Sequence, residues 1–99
     1  MGQSFRDLIA WQKAAELSIE VYKATSHFPD SERFGLISQM RKAAVSVASN
    51  IAEGYGRSTK GEYYLFLGNA RGSCCELETQ ILRANLPRNF PQGLKAMMI

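Results

Sequence analysis

The sequence predicts an all-α fold, an up-down antiparallel bundle of three long helices followed by an irregular C-terminal tail. Three observations carry this. Apolar residues recur at three- and four-residue spacing through three segments; Ser4 with Asp7 and Thr59 with Glu62 have the spacing of helix-opening capping boxes; and Phe28-Pro29-Asp30-Ser31 and the glycines Gly54 and Gly56 supply turn chemistry between the segments. The helices are expected at about 5–26, 34–54 and 59–84, in one domain spanning 1–84, with 85–99 as the tail.

In the first helix, Leu8, Trp11, Ala15, Ile19 and Tyr22 fall on one stripe, with Ala10, Ala14, Leu17 and Val21 on a second beside it. Together they cover roughly 200° of the surface, and Trp11 and Tyr22 are read as core. The second helix carries Leu36, Ile37, Met40, Ala43, Ala44, Val47, Ala48 and Ile51, opposite a polar face whose small residues would let another helix approach. Gly54 or Gly56 is expected to end it in the left-handed conformation. The third helix has a main stripe of Tyr63, Phe66, Leu67, Ala70, Cys74, Leu77 and Ile81, extended by Tyr64, Cys75 and Leu82. Its Gly68 and Gly72 each cost about 1 kcal/mol relative to Ala, which implies close contact with another helix. Three faces this wide exceed what a free-standing three-helix unit needs, so a fourth helix or other subunits should cover them.

Composition narrows the function. With 99 residues, 45% hydrophobic and 21% charged, the chain fits one globular domain. No apolar run is long enough to span a membrane, and Arg6, Asp7 and Gln12 interrupt the N-terminus too early for a signal peptide. The adjacent Cys74 and Cys75 read as buried thiols, which points to the cytoplasm. Lone His27, two cysteines and Glu76 and Glu78 on different sides of a helix supply no metal site, paired-carboxylate centre or cofactor, so no enzyme is expected.

The net charge of +3 resides in the last residues, since residues 1–80 balance nine basic against nine acidic side chains. A local cluster is more informative. Between 33 and 61, Arg33, Arg41, Lys42, Arg57 and Lys60 face Glu53 alone. Arg41, Lys42, Arg57 and Lys60 are the candidate phosphate ligands, with Arg57 best placed in a Gly-flanked loop before a helix N-terminus. Solvated or intersubunit charges are the plainer reading of the same residues. Asn50 and Glu53 are expected to bond the adjoining loop or a neighbouring subunit.

FRDLIAWQKA (5–14), FGLISQMRKAAVSVASNIAEGYGR (34–57) and GEYYLFLGNARGSCCELETQIL (61–82) resemble the bacterial four-helix bundle proteins, the intervening-sequence proteins of large-subunit ribosomal RNA genes. The chain is also similar to the accessory variability determinant proteins. The resemblance implies a four-helix bundle assembled as a ring-shaped homopentamer, with RNA or DNA as partner. A protein-interaction scaffold is the alternative, and a product without function a third reading. After Leu82 the family continues into a fourth amphipathic helix, whereas RANLPRNFPQGLKAMMI holds Pro87 and Pro91, so loss or frameshift of that helix is expected.

Overall fold

The computed structural model describes residues 4–86 and is all-helical there, with three long helices: α1 (Ile9–Thr25), α2 (Ser38–Tyr55) and α3 (Lys60–Arg83). The tail from 87 onward, on which the expected loss of a fourth helix falls, lies outside the described residues.

The capping box at Ser4 is present. The Ser4 hydroxyl accepts from the Arg6 amide at 3.1 Å, and the Asp7 carboxylate accepts from the Ser4 amide at 3.2 Å. It heads a 3-10 turn over Phe5–Asp7, however, and not α1 itself. Leu8 is extended (ψ 127°), so the long helix starts at Ile9. A 3-10 turn at Asp30–Glu32 and a π-helical turn at Arg33–Ile37 carry the chain into α2.

The sequence leaves open which of α1's stripes turns inward, and the structure selects the smaller-residue one. Ala14, Leu17 and Val21 are buried with Thr25, whereas Ile19 is 57% and Tyr22 46% exposed. The expectation that Tyr22 is core is therefore corrected; Trp11 is half-buried and packs on the core edge. Burying small residues lets the backbones of α1 and α2 approach closely, and the larger side chains are left on the flank.

α2 is the hub of the bundle. α1 and α3 both pack antiparallel along it and barely meet each other. The core is one cluster, with Ala14, Leu17 and Val21 from α1, Met40, Ala44, Val47 and Ile51 from α2, and Ala70, Cys74, Leu77 and Ile81 from α3. Midway along the α2–α3 contact, the Ser73 hydroxyl donates to Ser46 Oγ at 2.8 Å, and Asn50 donates to Ser46 Oγ at 3.0 Å and to the Ser46 carbonyl at 2.8 Å.

Two glycine expectations change. α2 does not end in a left-handed residue, since Gly56 has φ −82°. Gly54 instead lies inside α2 where α3 crosses it, and a Cβ there would sit 2.9 Å from Phe66 Cβ. The left-handed residue is Asn85 (φ 61°), which ends α3 in a Schellman motif: the Leu86 amide donates to Ile81 and the Asn85 amide to Leu82. Gly68 and Gly72 have open space within 4 Å, so the close helix contact expected of them does not occur among the described residues.

Candidate nucleic-acid interface

The four candidate cations fall into two pairs at opposite ends of α2. From residue 41 to residue 57 the helix rises about 24 Å, so the pairs form no single patch.

Arg41 is committed to the fold. Its Nε donates to Thr25 Oγ1 at 2.8 Å and its Nη2 to the Tyr22 carbonyl at 3.4 Å, while the guanidinium lies 4.4 Å from the centre of the Tyr22 ring. Thr25 Oγ1 in turn donates to the Val21 carbonyl at 2.8 Å. This places a cation on the C-terminal turn of α1, where the helix dipole is negative and the last carbonyls lack helical partners. Lys42, one residue on, is exposed. Together with Arg33, Phe34, Val45 and Tyr22 it lines a groove on the outer side of α2, beside a Phe34 side chain that is 91% exposed.

At the other end, Arg57 Nη2 bonds Glu53 Oε2 at 3.1 Å, one helical turn back, and the guanidinium sits 4.5 Å over the Phe66 ring. The expectation that Glu53 bonds the adjoining loop is met by this pair; Asn50 instead bonds within its own helix. The N-terminus of α3 is already supplied with acceptors. Thr59 Oγ1 accepts from the Glu62 amide at 3.2 Å and donates to Glu62 Oε1 at 3.3 Å. An incoming phosphate would meet the Glu62 carboxylate there, which weakens the anion site anticipated from the loop. Lys60 is exposed on the first turn of α3. Among the described residues no ion pair within 4 Å involves Lys42 or Lys60; those found are Arg33–Asp30 and Arg57–Glu53.

The cysteines also separate. Cys74 is buried, and burial, followed by the neighbouring Cys75, pushes its thiol up to about 11; Cys75 is exposed, contrary to the reading of both as buried. Among the described residues no group of three His, Cys, Asp or Glu side chains is placed to hold a metal, and no helix is long and apolar enough to cross a membrane.

Sequence reasoning did not anticipate a groove of about 790 Å³ between α1 and α3. Ile9, Ala10 and Lys13 form one wall, Tyr64, Leu67, Gly68 and Arg71 the other, and Val47 and Ile51 of α2 the floor. Tyr64, expected in core or interface, is exposed on its rim. The surplus apolar width of α1 and α3 was the available signal; what it lacked was the knowledge that the two helices do not close on each other.

An all-α bundle built around one central helix, with basic residues at both ends of that helix and an open apolar groove, defines the class of this protein. The model of the 23S rRNA-intervening sequence protein family matches residues 6–89, and the chain belongs to that family. Comparison with curated proteins finds no match.

Proposed function

We propose that this protein is a non-catalytic, oligomeric accessory that binds RNA or another nucleic acid through phosphate contacts. The observation that carries this reading is the exposure of Lys42 and Lys60, at opposite ends of α2 and outside the ion pairs that engage Arg33 and Arg57. Arg57 contributes at the edge of its pair with Glu53, while Arg41 acts mainly by holding α1 to α2. Two cations so far apart bind phosphate weakly in one copy, and symmetry-related copies multiply them into a salt-sensitive surface without base-specific readout. The family's name, which ties it to 23S rRNA, supports an RNA partner.

The assembly we propose is a homo-oligomeric ring, five copies by family resemblance, in the cytoplasm. The apolar α1–α3 groove includes neither Lys42 nor Lys60, so a contact between copies through it leaves both cations exposed. Cys74 and Cys75, neither of them in a disulfide, suit a reducing compartment. One observation favours a second reading, a protein-interaction scaffold: the α1–α3 groove is apolar enough to receive a partner's helix.

Titration of fluorescent RNA and duplex DNA at two salt concentrations tests the proposal. Binding should fall steeply with salt, and Lys42→Ala with Lys60→Ala should reduce the log–log salt slope by roughly 0.7–0.9 for each phosphate that the variant no longer neutralises. No binding at low salt, or an unchanged slope in the double variant, would leave the scaffold reading.

A further inference from the structure

The entry to α2 sets an uncovered aromatic ring among cations. Phe34 lies in the π-helical turn Arg33–Ile37, a kind of turn that recurs at functional sites, and it is 91% exposed. Ser38, Lys42 and Val45 follow it at helical spacing on the same face, and helical side chains lean toward the N-terminus, so Lys42 and Val45 reach back toward the ring. The groove these residues line, about 670 Å³, is walled on its far side by Tyr22 of α1. Its two aromatic rings differ. Arg41 lies 4.4 Å from the centre of the Tyr22 ring and covers it, whereas among the described residues no ring or cation stacks on Phe34. The charges are of one sign: Arg33, Arg41 and Lys42 line the groove, and no Asp or Glu does. Arg33 meets Asp30 only at 3.9 Å between exposed side chains, which leaves it open to a closer anion.

An open aromatic face beside cations calls for a ligand that joins a flat π-system to negative charge. We infer that this groove binds an unpaired nucleotide of a single-stranded nucleic acid, with the base stacked on Phe34 and the flanking phosphates on Lys42 and Arg33. The inference rests on the nucleic-acid reading and adds to it the class of strand. In a duplex the bases are stacked and paired with one another, so Phe34 meets only the sugar–phosphate surface; in a single strand a base is free to turn out onto the ring. The dimensions agree. Lys42 follows Phe34 by roughly 12 Å of helical rise, and its side chain leans back to shorten the gap one nucleotide has to bridge. A groove of about 670 Å³ is in the range that holds a drug-sized molecule, and a nucleotide is of that size. Arg41, held by Thr25 and the Tyr22 carbonyl, gives the groove a fixed positive wall. The opposite end of α2 lacks this combination, since Arg57 is paired with Glu53 and its guanidinium covers the Phe66 ring. Stacking accepts any base, so the contact is consistent with binding led by phosphate and without base-specific readout.

Fluorescence anisotropy of the full chain with a labelled oligouridylate, and with an RNA duplex of the same length, tests it at matched salt. The unmodified chain should bind the oligouridylate more tightly than the duplex. Phe34→Ala should weaken oligouridylate binding by about fivefold or more while duplex binding changes by less than about twofold. Its log–log salt slope should not change, because no phosphate contact is lost, and Phe34→Trp should retain the affinity. Since Phe34 is exposed, both variants should keep their helicity by circular dichroism and their mass by light scattering. If binding persists but Phe34→Ala leaves oligouridylate affinity unchanged, or weakens the duplex equally, this inference falls and the phosphate reading stands. Tighter binding of the duplex by the unmodified chain would have the same meaning. No binding of either RNA at low salt would overturn both. A smaller oligomer in Phe34→Ala would assign the ring to a contact between copies and overturn the inference as well.

Discussion

α3 meets its two neighbours in opposite ways. Against α2 it is closed: Gly54 leaves no room for even a methyl group beneath Phe66, Ser73 bonds Ser46 across the contact, and Leu77 is fully buried. Toward α1 it is open, with Tyr64 and Gly68 on the rim of a groove and no wall-to-wall packing. The difference separates what holds the chain folded from what the chain leaves for others to cover. Stability resides in the contacts along α2; the α1–α3 groove, open among the described residues, contributes little.

Glycine substitutions sharpen that comparison most. Gly54→Val should lower stability by about 2–3 kcal/mol, since its Cβ would overlap Phe66 and crowd Tyr63 unless α3 shifts, and shifting α3 breaks the best-packed contact in the molecule. Gly68→Ala should act the other way, raising stability by up to about 1 kcal/mol through helix propensity, because that position is open. Urea denaturation, at chain concentrations where the midpoint no longer depends on concentration, checks both. Equal effects at the two positions would remove the distinction between closed and open sides.

A smaller effect distinguishes the adjacent thiols. Cys75 should react rapidly with an alkylating reagent at neutral pH, and Cys74 only as fast as the bundle opens. The shift at Cys74 has a stability consequence as well. Folding raises its pKa from 9.0 to about 11, so the folded state keeps a proton that the unfolded state has lost. Stability from this group is therefore intact below pH about 9 and declines as pH rises from there through about 11. Denaturation of the Cys74→Ala variant should show a weaker decline over that window.

The fold class was legible because three periodic segments and their punctuation agree. α3's inner face was also legible, since Ala70, Cys74, Leu77 and Ile81 recur at helical spacing and are buried. In α1 the two stripes are both apolar, and the choice between them depends on how closely α2 can approach, which no local pattern encodes. The same limit applies to the candidate interface. Arg57 with Glu53 is readable from a four-residue spacing on a helix. Arg41, by contrast, is taken up by Thr25 sixteen positions earlier, a partnership created by folding, so charge counting alone overstated its freedom to meet a phosphate. Tyr64, Cys75 and Leu82 read as extensions of α3's apolar stripe, and only the placement of α2 behind the helix shows that all three are exposed.

The central claim is that this bundle is a subunit whose uncovered apolar surfaces are closed by other copies. Size-exclusion chromatography with light scattering, across a dilution series and with circular dichroism on the same samples, tests it most directly. The account predicts a folded species at a whole multiple of the 11.0 kDa chain, shifting to smaller mass on dilution. A fully helical 11.0 kDa monomer at every concentration would contradict it.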